Sequence, residues 1–245
     1  MPTRIEWCDE TINPFGYGCY GPGGTKECPK ICEYCYALKM ARRGLRKCSL
    51  CKKFTPHIHF DQLQRLEQWT KSRNIFVQSM GDVFGDWIID EWITALFKKC
   101  LLHLEHRYLF LTKNPKRYDL LDKMNVLPHN DNFWYGVSIT DQKSYDDYTR
   151  INRGNTVVNR FLSIEPLHSI INLTGLGYRR IKWVIIGAES GNRKVKIIPK
   201  KEWIQWIIDV CKYRNFPIPV FMKDSLIPIV GEENMIREFP LELKK

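Results

Sequence analysis

The segment Tyr108-Leu-Phe-Leu-Thr112 is a short apolar run rich in strand-forming residues, and a helical pattern over 115–124 separates it from a second run, Phe133-Trp-Tyr-Gly-Val-Ser138. This alternation recurs along the chain and is typical of a parallel α/β architecture. The predicted strands span 6–13, 74–79, 108–112, 133–138, 160–164, 183–187 and 219–222. The predicted helices span 36–46, 60–70, 86–101, 115–124, 141–151 and 199–213. Six to seven β/α units are fewer than the eight of a closed barrel, which predicts an incomplete TIM-like barrel.

The helix predicted over 199–213 carries an apolar stripe at helical spacing, formed by Trp203, Trp206, Ile207, Val210 and Cys211. Because these positions follow the i, i+3, i+4, i+7 rule, they share one helix face. We therefore expect this stripe to lie in the core.

The chain has 245 residues and a net charge of +11, which favours polyanionic partners and nucleic acid above all. Its length suits a single domain over 1–245, with a cysteine-rich insertion at about 19–59.

The start lacks a signal-peptide pattern and no apolar run approaches ~18 residues, so we expect a cytoplasmic protein without a membrane segment. In a reducing cytoplasm, nine cysteines indicate metal ligands, reactive thiols and core residues rather than disulfides.

Three of these cysteines fall within eight residues, in Cys28-Pro-Lys-Ile-Cys32-Glu-Tyr-Cys35. Thiolates are the preferred ligands of iron–sulfur clusters and zinc, and this spacing lets three of them reach one metal centre. A loop of this kind holds three irons of a four-iron cluster. The fourth iron then has no protein ligand and can bind an exogenous molecule, which favours a role in chemistry.

Polar side chains follow nearly every predicted strand. In a parallel barrel these positions surround one mouth, where active sites lie. A single polar residue there is more typical of a helix cap, but the whole set predicts a ligand site. The strand ends are Ser79-Met80-Gly81-Asp82, Thr112-Lys113-Asn114, Ser138-Ile139-Thr140-Asp141, Ser163-Ile164-Glu165-Pro166, Gly187-Ala188-Glu189-Ser190-Gly191 and Met222-Lys223-Asp224.

The cysteine loop, with Tyr34 before its last cysteine, resembles the signature of radical S-adenosylmethionine (radical SAM) enzymes. The turn Met80-Gly81-Asp82 and the later segment Ile185-Ile186-Gly187-Ala188-Glu189 are similar to two further motifs of that family. The resemblance implies a 4Fe-4S cluster that binds S-adenosylmethionine and receives an electron from a ferredoxin or flavodoxin. The same resemblance implies that a 5′-deoxyadenosyl radical would then abstract hydrogen from the substrate.

The resemblance also implies site residues. Cys32 and Cys35 would be cluster ligands, with Tyr34 beside the adenine and Gly81 and Asp82 near the methionine amine. Further polar groups for the cofactor would come from Ser138, Ser163, Glu165 and Glu189. The side chains expected to meet an anionic substrate are Lys113 and Lys223. Together with the charge, this predicts a nucleic acid or nucleotide substrate.

A narrower resemblance leaves the first ligand open. Asn13-Pro14 and Gly18-Cys19, with several of the strand-end segments, are similar to a phage- and prokaryote-associated radical SAM-like family without an assigned reaction. In that family the Gly-Cys after Asn-Pro is the first cysteine, which is Cys19 here. The spacing favours Cys28 and the family context favours Cys19.

Cys48-Ser49-Leu50-Cys51 forms a second short-spaced pair, typical of half a zinc site or of an auxiliary cluster. The third ligand would be whichever of Cys19 and Cys28 is left over, and the candidates for the fourth are Cys8, His57 and His59. An alternative function uses the same cysteines and the same charge: a non-catalytic, zinc- or cluster-stabilised nucleic-acid-binding protein.

Overall fold

The fold is seen in a computed structural model that describes residues 3–44, 47–151, 159–173, 175, 180–190, 193–213 and 217–244. Seven strands form one sheet in chain order, and every neighbouring pair is parallel. Among the described residues no pairing joins the first strand to the last, so the predicted incomplete barrel is confirmed. The strands are β1 (Glu10–Ile12), β2 (Asn74–Val77), β3 (Arg107–Thr112), β4 (Phe133–Ile139), β5 (Asn159–Ile164), β6 (Ile181–Ile186) and β7 (Val220–Met222).

The α-helices are α1 (Tyr36–Arg42), α2 (Ser49–Lys52), α3 (Asp61–Gln64), α4 (Asp90–Leu101), α5 (Lys116–Lys123), α6 (Gln142–Ile151), α7 (Lys201–Lys212) and α8 (Ile227–Val230). Short 3₁₀ turns cover Arg65–Gln68, Asp224–Leu226, Glu232–Asn234 and Leu241–Leu243. Within the described residues, no helix combines the length and apolarity needed to cross a membrane.

Several predicted boundaries were too wide. The helix predicted over 60–70 is a single turn of α-helix, α3, followed by a 3₁₀ turn. The helix predicted from residue 86 begins at Asp90, because Ile89 before it has extended backbone angles. The strand predicted over 6–13 shrinks to β1. Residues 45 and 46, at the end of the predicted helix over 36–46, lie outside the described residues.

The two faces of the sheet carry two separate apolar clusters. Successive side chains of a strand point to opposite faces, and every residue of β4 is buried. Phe133 and Tyr135 belong to the large cluster that also contains the inner faces of α4 to α7. Trp134 belongs to the cluster on the other, concave face, with Phe161 and Trp183. Burial on both faces explains why the strands are continuous apolar runs.

Gly136 makes room for an aromatic ring inside the barrel. A Cβ at this position would lie 2.3 Å from the ring of Phe161. The C-terminal segment closes the concave face beside these rings, since the Asn74 side-chain amide donates to the Leu243 carbonyl at 2.9 Å. The open edge of β7 is covered by the same segment, because Glu238 N donates to Val220 O at 2.9 Å. The barrel interior is thus packed at one end, which leaves the carboxyl end of the strands for a site.

The predicted core stripe of α7 was partly wrong. The buried residues are Ile204, Ile207, Ile208 and Cys211, so the buried face is rotated by about one position from the predicted one. Trp206 is 42% exposed, and its indole N–H donates to the Ile171 carbonyl at 3.1 Å. A tryptophan at the rim can bury part of its ring and still satisfy its polar atom, which apolar periodicity does not predict.

Candidate functional site

A cavity of about 640 Å³ lies at the carboxyl ends of the strands. This volume falls within the range of roughly 300–1,000 Å³ that small-molecule sites have. Its lining combines ends of six strands with the cysteine loop, and it includes all the cofactor and substrate positions named from the sequence: Tyr34, Gly81, Asp82, Lys113, Ser138, Ser163, Glu165, Glu189 and Lys223. Gly191, the last residue of one predicted strand-end motif, lies outside the described residues.

Three cysteines line this cavity: Cys19, Cys32 and Cys35. The pKa of the Cys19 thiol is raised to about 12, mainly by burial, with smaller contributions from Asp82, Cys35 and Cys32. Cys19 and Cys35 also pack against the same small apolar cluster, which contains Ala37, Phe54 and Met80. Cys28 is exposed and is not among the lining residues. It lies in a turn in which Thr25 N donates to its carbonyl at 3.1 Å.

The loop that carries Cys19 is held against the end of β2. Gly18 N donates to Met80 O at 3.1 Å, and Gly18 forms a parallel bridge with Gly81. A Cβ on Gly81 would lie 2.4 Å from the Gly18 carbonyl oxygen, so only glycine permits this approach. The Cys19 Sγ accepts from Gly21 N at 3.3 Å. Cys35 caps α1, where its Sγ accepts from Leu38 N at 3.4 Å.

Asp82 joins the ends of β2 and β3. Its carboxylate accepts from Phe84 N at 2.9 Å, from Thr112 Oγ1 at 2.9 Å and from Lys113 N at 3.0 Å. Burial raises its pKa, and these three donors oppose that increase. Both carboxylate oxygens therefore accept hydrogen bonds from the chain itself. Asp82 thus positions the backbone at Lys113, at the end of β3.

Lys113 projects across the cavity. Its Nζ donates to Ser138 Oγ at 2.9 Å and lies 5.8 Å from the centroid of the Tyr34 ring. The ring of His168 also contacts Tyr34, edge-on, with 5.3 Å between the two ring centroids. Burial raises the pKa of Tyr34, and the neighbouring Cys32 thiol adds to the increase. The phenol thus stays neutral beside the cysteines. Ser163 Oγ is buried at the same mouth without a hydrogen-bond partner among the described residues.

Two acidic residues of the predicted site are paired with cations. Arg193 donates to both carboxylate oxygens of Glu189 at 2.7 Å, and it lowers the pKa of that carboxyl. Arg193 also reaches Glu33 of the cysteine loop at 2.9 Å. Lys223 pairs with Glu165. Sequence reasoning missed Arg193, although it stands four residues after Glu189, because the intervening Ser-Gly-Asn sequence gives no helical pattern and the second partner, Glu33, is 160 residues away.

The pair Cys48 and Cys51 lies outside this cavity lining, together with His57 and His59. The ligand atoms of these four residues are all within 4.8 Å of one another. His57 and His59, predicted as alternatives for the fourth ligand, therefore both belong to this group. None of Cys8, Cys19 and Cys28 belongs to it. Cys8 is instead a half-buried thiol, and desolvation raises its pKa to about 12.

The fold and the cavity define an α/β partial-barrel protein with cysteines at the mouth of the barrel. The chain belongs to the family described as "Protein of unknown function (DUF5131)", which matches residues 2–225. Among solved structures it is similar to "Spore photoproduct lyase complexed with dinucleoside spore photoproduct", with a TM-score of 0.41 and 15% identity. That similarity covers 80% of this chain, which spans 59% of the other protein's length. Comparison with curated proteins gave no match.

Proposed function

We propose that the protein is a radical SAM enzyme that acts on a nucleic acid or nucleotide. The observation that supports this most is the convergence of Cys19, Cys32 and Cys35 on one cavity at the carboxyl end of a parallel partial barrel. Three thiolates suit a four-iron cluster with one open iron. The buried Ser163 hydroxyl, without a partner among the described residues, also fits a polar ligand in this cavity.

In this proposal the cluster ligands are Cys19, Cys32 and Cys35. The cavity geometry favours Cys19 over Cys28, since Cys28 is exposed and does not line the cavity. When bound, the cluster supplies the electron that cleaves S-adenosylmethionine reductively, which allows hydrogen abstraction from the substrate. The proposal places the protein in the reducing cytoplasm with a reductant such as a ferredoxin or flavodoxin.

The chain's own residues would orient the ligands. Lys113 is the better candidate for an anionic group, because its ammonium donates to a neutral hydroxyl, that of Ser138. Lys223 is already neutralised by Glu165, as Glu189 is by Arg193. These ion pairs leave Lys113 to attract a carboxylate or phosphate, while Tyr34 offers a flat neutral ring beside it.

The net charge of +11 supports a polyanionic substrate. Basic residues attract nucleic acid from a distance and release counterions from it on binding, so affinity should fall steeply as salt rises. A nucleotide carries too few charges for a steep salt dependence. The salt dependence of binding therefore separates the two substrate classes.

The test is anaerobic reconstitution with iron and sulfide. The wild-type protein should retain about four irons per chain and should form 5′-deoxyadenosine when given S-adenosylmethionine and dithionite. Cys32→Ala and Cys19→Ala should lose most of the iron and all of this product. Cys28→Ala is the matched control and should keep both. If Cys28→Ala loses the iron and Cys19→Ala keeps it, the assignment of the first ligand is wrong.

The alternative is a non-catalytic nucleic-acid-binding protein stabilised by zinc. The group formed by Cys48, Cys51, His57 and His59 favours its zinc component, and the net charge favours its partner. The same reconstitution distinguishes the two. Zinc alone, with no deoxyadenosine and with salt-sensitive nucleic-acid binding, would support the alternative and end the enzyme proposal.

A further inference from the structure

A compact group of two cysteines and two histidines lies in the cysteine-rich insertion, away from the barrel cavity. Cys48 caps the one-turn helix α2, and Cys51 lies within it. His57 Nε2 is 3.2 Å from Cys48 Sγ and 3.6 Å from Cys51 Sγ. His59 Nε2 is 3.3 Å from Cys51 Sγ. All four ligand atoms therefore point at one small volume.

We propose that these four side chains bind one structural zinc ion. Tetrahedral zinc with bonds of about 2.3 Å to sulfur and about 2.0–2.1 Å to nitrogen separates a sulfur ligand from a nitrogen ligand by about 3.5 Å. The three sulfur–nitrogen distances of 3.2, 3.6 and 3.3 Å match that value. The two imidazole Nε2 atoms are 2.8 Å apart, so they need to separate by about half an ångström to bind one zinc ion.

The second ring nitrogen of each histidine supports the same assignment. His57 Nδ1 is 2.6 Å from the Thr55 carbonyl oxygen, which can only accept, so Nδ1 carries a proton and the neutral imidazole offers Nε2 as the ligating nitrogen. His59 Nδ1 is 3.3 Å from the Asp61 carboxylate, which favours the same tautomer of the neutral ring. Metal-binding histidines have this arrangement, in which an acceptor orients the ring and makes the ligating nitrogen more basic.

The donor set also distinguishes zinc from iron–sulfur chemistry. Two thiolates and two imidazoles in a tetrahedral arrangement are a common ligand set of structural zinc sites. A two-iron cluster with the same residues would hold the thiolates on one iron and the imidazoles on the other. Here His57 Nε2 lies within 3.6 Å of both sulfur atoms, which is compatible with a single metal ion.

The proposed zinc site is packed on the loop that follows β1. His57 N donates to Phe15 O at 3.3 Å, and His59 N donates to Pro14 O at 2.7 Å. A Cβ on Gly16 would lie 2.4 Å from the His57 ring. The segment that carries His57 and His59 is therefore hydrogen-bonded to, and packed against, the loop over 14–16.

The next residues of that loop lead to the barrel cavity. A Cβ on Gly18 would lie 2.3 Å from Pro56 N, so the backbone just before His57 lies directly against Gly18. Cys19 follows and lines the cavity. Zinc bound by this group would thus hold Cys19 in place. This consequence for a cluster ligand rests on the proposed function, whereas the zinc site itself does not.

The experiment measures zinc in the full chain purified from a zinc-supplemented culture. The wild-type protein should contain about one zinc per chain, and Cys48→Ser and His57→Asn should each lose at least half of it. The controls Cys28→Ser and His129→Asn, at an exposed cysteine and a histidine whose side chain is 44% exposed, should retain it. Asp61→Asn, at a side chain that is 61% exposed, should fold and should lower zinc affinity about 10–100-fold in a competition with a chromogenic chelator.

X-ray absorption at the zinc edge of the wild-type protein covers the case in which the ligand variants fail to fold. It should show two sulfur atoms at about 2.3 Å and two nitrogen atoms at about 2.0–2.1 Å. Absence of zinc, a shell of four sulfurs, or full zinc retention by both ligand variants would overturn the proposal. Cys32→Ala separates it from the enzyme proposal, since that variant should lose iron and keep zinc.

Discussion

Gly18→Ala should disrupt the contact between the proposed zinc segment and the Cys19 loop. The new Cβ would lie 2.3 Å from Pro56 N, 2.4 Å from Thr55 C and 2.7 Å from Pro56 Cα. Normal contacts between such atoms are about 3.5 Å or more, so one of the two backbones must move by about 1 Å. All three atoms belong to the main chain, and no change of side-chain rotamer can relieve the clash.

The expected cost follows from two opposing effects. Overpacking costs about 1–3 kcal/mol, and the reduced entropy of the unfolded chain returns about 0.4–1 kcal/mol. A net destabilisation of about 1–2 kcal/mol lowers the melting temperature by roughly 2–8 °C for a domain of this size. A shift of about 1 Å also exceeds the tolerance of about 0.2 Å on metal–ligand distances, so zinc or iron should be lost as well.

The assay is thermal unfolding together with zinc and iron analysis of the same samples. Gly18→Ala/Pro56→Ala is the informative second variant, because removing the proline ring leaves the clashing backbone in place and should restore neither stability nor metal. Gly44→Ala is the control for metal content: its φ of +68° makes the alanine strained by about 1–2 kcal/mol, but its Cβ would meet only the end of the Lys52 side chain at 3.4 Å, so it should lose stability and keep both metals. A Gly18→Ala protein with wild-type melting temperature and metal content would refute the tight contact between the two loops.

Three further predictions concern the barrel. Gly136→Ala should destabilise the protein by about 1–3 kcal/mol, and Phe161→Leu in the same chain should recover part of that loss in urea unfolding, because the clash is with a side chain. Glu189 has a lowered pKa in the folded state, so its ion pair stabilises at neutral pH and the stabilisation is lost as pH falls through that pKa. The gap in urea midpoint between wild type and Arg193→Gln should therefore hold from pH 7 to about 4.5, the ordinary pKa of a glutamate, and should narrow below it. Ser163→Ala should leave the urea midpoint unchanged or higher, since the hydroxyl is buried without a partner among the described residues. The same variant should lower the affinity for S-adenosylmethionine, measured by equilibrium binding, by up to about tenfold.

Much of the site could be located before the structure, because a parallel barrel gathers its strand ends at one mouth. Ser138, Ser163, Glu165 and Glu189 all line the cavity for that reason. Their partners were not predictable. Lys223 pairs with Glu165 across 58 positions of the chain and Arg193 reaches Glu33 across 160, and long-range contacts of this kind have no local sequence pattern.

The choice between Cys28 and Cys19 shows where sequence spacing stops being informative. Cys28 has the better spacing to Cys32, yet it lies in an exposed turn outside the cavity lining. Cys19 is thirteen residues away from Cys32 in the chain. The contact between Gly18 and Gly81 brings it to the cavity.

The sequence by itself determined the architecture and showed which cysteines and histidines are available as candidate metal ligands. Strands buried on both faces must be continuous apolar runs, and helices between them must carry an apolar stripe, so both elements are visible as patterns. Only the tertiary structure decided which cysteines line the cavity and that His57 and His59 lie beside Cys48 and Cys51. Those groupings depend on loop paths, and the loops are held by glycine contacts and backbone hydrogen bonds between segments distant in the chain.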